Sequence, residues 1–143
     1  MKCFIYLLFS SLLLSSSFSE QSCTCSCTHP QMEELGAASW KFLHSMAANY
    51  HDQPPFHLKY AWYNVMELLV HTYPCPVCRD HLWQNIEEYG VHVQNRTDVS
   101  MWLCWLHNEV NKANGKPIYP CSIEQLDLDY NFNSTRSMER RFL

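Results

Sequence analysis

Helical periodicity, interrupted by proline and glycine, leaves few folds open to this chain. Apolar residues recur at spacings of three and four from Gln31 to Asn49, and the pattern returns from Phe56 to Thr72 after the break at Pro54-Pro55. A third helix is predicted from Cys75-Pro76 to Tyr89, because proline suits a first helical turn, and a fourth from Val99 to Ala113. No segment has the alternation typical of a strand. The sequence therefore predicts an all-α protein.

Helices joined by short breaks are expected to pack as a four-helix bundle, here over residues 31–130. The chain has 143 residues, so one compact domain with extensions fits and a second core does not. The first helix has a wide apolar stripe and is predicted to be mostly buried; the stripe comprises Leu35, Ala38, Phe42 and Met46 beside Trp40, Leu43 and Ala47. In the second helix the residues predicted to lie inside are Leu58, Ala61, Trp62, Val65, Leu68 and Leu69. Residues 116–129 are expected to fold back over one end of the bundle, and residues 131–143 to form a disordered tail.

Residues 1–19 have the pattern of a signal peptide. Lys2 supplies a positive charge, and the apolar run from Phe4 to Leu14 is too short to span a bilayer as a mature helix. Small residues at Ser17 and Ser19 suit cleavage before Glu20. The mature chain is therefore expected in the secretory pathway, in the endoplasmic reticulum lumen or outside the cell, with no membrane span. An uncleaved anchor is the alternative.

The charge balance argues against one class of partner. Lysine and arginine number 10 against 14 aspartates and glutamates, a formal charge of −4, and the longest basic run is Arg140-Arg141. Proteins that bind nucleic acid neutralise phosphates with clustered cations. The sequence therefore excludes a nucleic-acid partner.

Cysteine usage depends on the compartment, because thiols in an oxidising environment tend to pair. The chain has eight cysteines, and loss of Cys3 with the leader leaves an odd number. An odd number implies an unpaired thiol or a bridge to another chain. Cys23, Cys25 and Cys27 lie in residues 20–30, a short polar segment with no apolar period, which predicts a cysteine-rich N-terminal arm outside the core.

The Cys75-Pro76-Val77-Cys78 motif stands at a predicted helix start and is the strongest local indication of chemistry. One turn of helix brings the two sulfurs within disulfide reach, and the helix N-terminus stabilises a thiolate and lowers the pKa of the thiol. So short a disulfide closes too small a loop to gain much chain entropy, which favours a redox pair over a structural bridge. Zinc is the alternative, because His71 and His81 bracket the same turn.

A second group of candidate residues lies on the fourth helix. Its members share one helical face, and none is a carboxylate or a lysine, as a solvated face would favour. They are Cys104, His107, Asn108 and Asn111. This face is interpreted as facing a ligand, with a surface patch and one structural cysteine as the alternative. On the first helix, Trp40 and His44 are i,i+4 neighbours that suit a planar cofactor, although core packing also explains such a pair.

Four motifs follow one another along the chain. They are ELGAASWKFLH from Glu34, YPCPVC from Tyr73, WLCWLHNEVNK from Trp102, and GKP from Gly115, followed by Cys121. In this order and spacing they closely resemble the Erv/ALR family of FAD-linked sulfhydryl oxidases, over about residues 33–122. The family commonly has Arg or Lys at the position of Ala37, so one cofactor contact is expected to be missing.

The resemblance implies a noncovalent FAD in a four-helix bundle with a short fifth helix, and a homodimer. By position, Cys75 would exchange disulfides with incoming thiols and Cys78 would face the flavin. Cys104 and Cys121 would form a structural disulfide. The family's cofactor contacts fall on Gly36, Trp40, His44, Cys104, His107, Asn108, Val110, Asn111, Lys112, Lys116 and Tyr119.

The activity implied by the resemblance is oxidation of client dithiols to disulfides, with molecular oxygen as acceptor and hydrogen peroxide as product. The client would be a thiol-containing protein, and a disulfide isomerase of the thioredoxin-like kind is the natural expectation in this compartment. Two of Cys23, Cys25 and Cys27 would relay electrons from the client to Cys75–Cys78; a tether between subunits is the alternative. The alternative function is a non-catalytic, secreted, disulfide-stabilised helical binding protein, in which the tryptophans and histidines are only core.

Overall fold

The computed structural model describes residues 30–132, and these residues are helical with no strand among them. The helices are α1 (Pro30–Ala48), α2 (Phe56–Thr72), α3 (Pro76–Tyr89), α4 (Arg96–Ala113) and α5 (Ile123–Tyr130). The predicted all-α fold is confirmed, and the short fifth helix implied by the resemblance is present.

Side chains at the N-termini determine where two of the helices begin. The N–H of Asp98 donates to the Asn95 side chain at 2.9 Å, and this cap starts α4 at Arg96 rather than at the predicted Val99. Ser122 caps α5 in the same way by accepting from the N–H of Gln125. The connection between α3 and α4 is therefore shorter than the sequence predicted.

The core is centred on α4, whose Val99 and Leu103 are fully buried. Around it, α1 packs against α4 and α5, while α2 packs against α3. Met66 of α2 completes the centre of the core, and Val93 anchors the connection before α4. This packing, together with the contact between the Ser39 and Tyr73 hydroxyls, places the turn before α3 beside the middle of α1.

The prediction that α1 is mostly buried is wrong. Leu43 and Ala47 are buried, but Leu35 is 37% exposed and Phe42 is 63% exposed, and Ala38 of the same row is exposed as well. The reason is that α4 and α5 cover only one side of α1. The apolar stripe is wider than the surface that this chain alone covers.

The predicted inner face of α2 is also partly wrong. Trp62 is buried as predicted, whereas Ala61 is exposed and Leu68 is 61% exposed. Met66 and Val70, which the apolar spacing did not assign to the inside, are buried instead. The apolar residues of α2 occur on both sides of the helix, so their spacing could not decide which side faces α3 and the core.

Several predictions lie outside the described residues. These are the leader, the arm cysteines Cys23, Cys25 and Cys27, and residues 133–143 of the predicted tail. Within residues 30–132, the structure contains no helix of sufficient length and hydrophobicity to cross a membrane.

Candidate active site

Two disulfides are present among the described residues, and both join the cysteines that the motifs pair. Cys75 and Cys78 are bonded across the first turn of α3, with their Cα atoms 5.2 Å apart. Cys104 and Cys121 are bonded with Cα atoms 5.8 Å apart, and this bridge ties the segment after α4 back to the middle of that helix. The second pairing is the one that the family resemblance implies.

The Cys75–Cys78 turn is held at the N-terminus of α3. Proline at position 76 needs no N–H partner in the first turn, and the N–H of Cys78 donates to the Cys75 sulfur at 3.2 Å. Cys75 is only 3% exposed, whereas Cys78 is partly exposed. In this chain alone, the cysteine assigned to incoming thiols is therefore the less accessible of the two.

Tyr73 fixes this turn relative to α1. Its hydroxyl and that of Ser39 are 3.2 Å apart, and its carbonyl accepts from Nη1 of Arg79 at 3.0 Å. The first contact ties the end of α2 to α1, and the second closes the cysteine turn from the α3 side. Tyr73 thereby connects the disulfide to the helix that carries Trp40 and His44.

Four aromatic rings from α1, α4 and α5 form a cluster beside this region. Trp40 and His107 stack face to face, with ring centroids 4.2 Å apart and planes 6° apart. Nε2 of His44 lies 3.2 Å from Nδ1 of His107, and Tyr130 stacks on His44 with centroids 4.6 Å apart. We call Trp40, His44, His107 and Tyr130 the ring cluster.

Both histidines of the ring cluster favour the neutral form. Burial, and then the nearby His107, lower the pKa of His44 from 6.5 to about 4. Burial lowers the pKa of His107 as well, and the positive charge of Lys116 adds to this effect. At neutral pH, one imidazole therefore donates a hydrogen bond to the other without carrying a charge.

The two lysines among the cofactor contacts that the family resemblance implies, Lys112 and Lys116, lie at the surface. Nζ of Lys116 is 2.9 Å from the Glu33 carboxylate, and both side chains are more than half exposed. This pairing lowers the pKa of Glu33. Lys112 pairs with Glu109 at 2.5 Å on α4. Ala37, at the position of the family's cation, is exposed on α1 and leaves Lys116 as the charge that acts on His107.

Asn108 has a structural role that its helical face did not reveal. Its Nδ2 donates to the Tyr119 carbonyl at 2.9 Å, and its Oδ1 accepts from the Tyr119 N–H at 2.9 Å. Nδ2 also lies 3.3 Å from the sulfur of Cys121. The buried amide therefore holds the segment after α4 in place, as the adjacent disulfide does.

Comparison with known proteins decides the family. The sequence model of the Erv1 / Alr family matches residues 37–133, well over half of the chain. This chain belongs to the Erv1/Alr family. A solved structure described as the FAD-binding domain of Erv1 from Saccharomyces cerevisiae has a TM-score of 0.67 and 31% identity; the match covers 74% of this chain and 99% of that one.

Named relatives of this Erv1/Alr chain come from plants and yeast. The FAD-linked sulfhydryl oxidase ERV1 of Oryza sativa is 36% identical over 62% of this chain and 46% of its own length. The FAD-linked sulfhydryl oxidase ERV2 of Saccharomyces cerevisiae is 36% identical over 68% of this chain and 50% of its own length. The chain thus spans about half the length of these relatives.

The residues of this Erv1/Alr chain fit the FAD of the named relatives. The ring cluster offers flat aromatic and imidazole surfaces, and its neutral histidines impose no cation on a planar ring system. Lys116 supplies an exposed cation close enough to affect His107, where a phosphate-bearing group would need one. A Cβ atom placed on Gly36 would meet nothing from the rest of the protein within 4 Å, so α1 has open space beside this residue.

Other predicted residues play less direct parts in the site. Asn111 is buried, and its Nδ2 lies 3.4 Å from Oδ1 of Asn108; Val110 is partly buried. The hydroxyl of Tyr119 donates to Asp129 at 2.5 Å, and burial followed by this bond raises its pKa. Asn108 is hydrogen-bonded to the main chain of Tyr119 and not to its hydroxyl. These residues support the loop beside the ring cluster.

The zinc alternative finds no support in the geometry of the described residues. Cys75 and Cys78 are bonded to each other, and His71 lies 2.9 Å from Glu67 on the surface of α2. Residues 30–132 contain no group of three or more histidine, cysteine or carboxylate side chains arranged around a metal position.

Sequence reasoning missed two residues of the site. Tyr130 enters the ring cluster from α5, and Tyr73 connects α1 to the disulfide although it was assigned no role of its own. Tyr73 belongs to the YPCPVC motif, which was the available signal. Tyr130 has no such signal, because its contact with His44 joins residues far apart in the chain.

Proposed function

We propose that this protein is an FAD-dependent thiol oxidase that forms disulfide bonds in client dithiols and passes the electrons to molecular oxygen, giving hydrogen peroxide. The observation that carries the proposal is the Cys75–Cys78 disulfide at the start of α3, linked through Tyr73 to the helix of Trp40 and His44. The names of the relatives, FAD-linked sulfhydryl oxidases, support the same activity.

The ring cluster is the part of the chain suited to hold FAD. Trp40, His44 and His107 provide the flat surfaces, and Tyr130 supports His44 from the opposite side. Lys116 and Lys112 would serve the phosphates, at the expense of their pairs with Glu33 and Glu109. When bound, FAD supplies the capacity to accept two electrons from a dithiol and to pass them to oxygen.

The cysteine chemistry is thiol–disulfide exchange. A client thiolate attacks one sulfur of the Cys75–Cys78 bond, which breaks as a mixed disulfide forms and the other active-site sulfur leaves as a thiolate. The second client thiolate attacks the mixed disulfide, so the client is oxidised and Cys75 and Cys78 are left reduced. The N-terminus of α3 stabilises a thiolate in its first turn through the positive end of the helix dipole, and the N–H of Cys78 donates to the Cys75 sulfur.

The proposed attack of clients at Cys75 requires local movement. Cys75 is 3% exposed, so attack by a client sulfur requires the Tyr73–Cys75 segment to move. The contacts that resist this movement are those of the Tyr73 hydroxyl with Ser39 and of the Tyr73 carbonyl with Arg79. Tyr73→Phe removes the first contact and keeps the ring, so we expect faster reduction of the disulfide by a small dithiol in this variant.

We also propose a homodimer that covers the outer row of α1. Leu35 and Phe42 are exposed large apolar residues of one helical row, and such rows are rarely left in water on a stable monomer. Phe42→Glu should shift the protein to a monomer in sedimentation equilibrium. The matched control is Phe56→Glu, at an 81% exposed residue outside that row; equal effects of both substitutions would contradict this assignment of the interface.

The proposed compartment is the secretory pathway, supported by the leader-like pattern of residues 1–19 and by the number of cysteines. A reporter fused after Glu20 should be translocated and cleaved in cells. A client of the thioredoxin-like disulfide-isomerase kind is proposed for this compartment. Cytosolic or mitochondrial retention of the reporter would overturn the proposal; two yeast relatives are named as mitochondrial.

The decisive experiment for the oxidase uses the chain from Glu20 and a small dithiol. We expect a bound-flavin absorption spectrum and oxygen uptake on addition of dithiothreitol, with uptake lost in Cys78→Ser. Replacement of Cys23, Cys25 and Cys27 by serine is the matched control: it should spare oxidation of dithiothreitol and slow oxidation of a protein dithiol. If this triple-serine variant oxidised the protein dithiol as well as it oxidises dithiothreitol, the relay would be refuted. A folded, colourless protein would instead favour the binding-protein function.

A further inference from the structure

A groove lies between the end of α3, the connection after it and α4, on a different side of α4 from the ring cluster. Its volume is about 350 Å³, and its lining residues are Tyr89, His92, Asp98, Met101, Trp102 and Trp105. Trp105 and His107 are two residues apart on α4 and point about 200° apart around the helix axis. The groove is therefore separate from the ring cluster.

Aromatic rings form much of this groove. Tyr89 and Trp105 meet edge to face, with centroids 4.7 Å apart and planes at 64°. Tyr89 is half exposed, so its ring remains open to a partner. Trp102 also lines the groove but is nearly fully buried, so the rings accessible from outside are those of Tyr89 and Trp105. Such a wall of aromatic faces is suited to a cation, which it attracts through the negative face of each ring.

Carboxylates add negative charge around the rings. Asp98 accepts from the Gln94 N–H at 3.1 Å through Oδ2, and its Oδ1 lies 3.9 Å from Nδ1 of His92. Tyr89 has a raised pKa, caused first by its hydrogen bond to Glu88, then by the charge of that carboxylate, with Glu109 contributing in the same direction. The ammonium of Lys112 is paired with Glu109 here and would serve the phosphates where FAD is bound, so in both cases its charge has an anionic partner.

The position of the groove relates it to the disulfide. Cys78 and Tyr89 are eleven residues apart on α3, just over three full turns, so they lie on one face of that helix. Their separation along the axis is about 16 Å at 1.5 Å per residue. About five residues of extended chain span this distance. A client bound at the disulfide can therefore place a nearby side chain in the groove.

We propose that this groove binds an arginine or lysine side chain of the protein client, about five residues from its reactive cysteine. The groove would thus hold a client in register with the Cys75–Cys78 disulfide. The identity of the partner as the oxidised client rests on the proposed function, whereas binding of the cation does not. The formal charge of −4 on the chain favours approach of a basic partner.

Binding is tested on the flavin-loaded chain labelled with ¹⁵N, with N-acetyl-arginine methylamide as the probe. We expect the indole N–H signals of Trp102 and Trp105 to shift, with those of Trp40 and Trp83 unchanged. The corresponding citrulline compound has the same shape without the charge and should produce no shift. Equal shifts with citrulline, or shifts confined to other tryptophans, would overturn the proposal.

Single substitutions identify the side chains that bind the arginine probe. Trp105→Leu should weaken arginine binding about tenfold by removing one ring face, and Glu88→Gln about threefold by removing a surface charge. The matched controls are Trp83→Leu and Glu87→Gln, which change exposed residues of α3 outside the groove and should leave binding unchanged. Because Glu88→Gln alters only an exposed side chain, loss of folding in Trp105→Leu would not remove the test.

Kinetics of turnover separate client docking in the groove from the oxidase activity itself. Two dithiol peptides are compared, which differ only in Arg or Gln five residues from a cysteine. The Arg peptide should have a KM about tenfold lower at similar kcat, and Trp105→Leu should abolish the difference. Equal KM values would overturn client docking while leaving the oxidase intact. If neither peptide is oxidised although arginine binds, the client assignment fails together with the proposed function.

Discussion

Removal of the Asn108 amide should destabilise the protein even in the absence of cofactor. In Asn108→Ala, the N–H and the carbonyl of Tyr119 each lose a 2.9 Å hydrogen bond to a buried amide. A hydrogen bond contributes about 1 kcal/mol net, and a buried group left unpaired costs more. We therefore expect the free energy of unfolding to fall by about 2 to 4 kcal/mol.

The assay is urea unfolding of the flavin-loaded and flavin-free protein, followed by circular dichroism with both disulfides intact. The matched control is Asn85→Ala, which removes a 2.7 Å bond from an exposed amide to the His81 carbonyl. That bond is in water, so the control should change stability by no more than about 0.5 kcal/mol.

The comparison distinguishes two roles for Asn108. If Asn108 acts mainly by contacting FAD, only the flavin-loaded form should be destabilised. If it holds the segment after α4, both forms should be. A flavin-free Asn108→Ala protein within about 0.5 kcal/mol of the unsubstituted chain would refute the structural role.

Three further predictions concern stability. Because burial lowers the pKa of His44 to about 4, the unfolded chain binds more protons than the folded one between pH 6.5 and 4. The free energy of unfolding should therefore fall by about 3 kcal/mol as the pH drops through this window. His44→Asn should flatten this pH dependence, measured by urea unfolding. Replacement of both Cys104 and Cys121 by serine should cost about 3 kcal/mol, from the chain entropy of the loop that the bridge closes; a loss below about 1 kcal/mol would contradict this expectation. Arg96→Met should cost about 1 kcal/mol, since the 2.5 Å pair with Asp127 joins α4 to α5, and the loss should shrink in 1 M salt if the pair is responsible.

Local features of the sequence were sufficient for the helices and the redox motif. Helical spacing, proline and glycine depend on neighbours three or four residues away, so the bounds of α2 and the start of α3 are as predicted. The Cys75–Cys78 pair follows from the same short-range geometry, with Pro76 in the first turn. The start of α4 was missed because the Asn95 cap lies outside the apolar pattern.

Which side of each helix is buried could be decided only from the fold. Phe42 and Leu68 have the spacing of core residues, yet both are more than half exposed. Periodicity identifies an apolar side but not the partner that covers it, and an exposed row on α1 looks the same in sequence as a buried one. Asn108 shows the converse: on its helical face it resembles a ligand contact, and only the position of Tyr119 shows where its amide is used.

The sequence by itself determined the helices and the cysteine pair, because each depends on contacts within a few residues of the chain, and its motifs indicated the residue types of a cofactor site through the family resemblance. Tertiary structure alone decided that Tyr130 supports His44, that Cys75 is the less accessible cysteine, and that a groove of rings and carboxylates lies beside α4. These features join residues from different helices. Their geometry is set by packing between elements distant in sequence, and no local pattern encodes that packing.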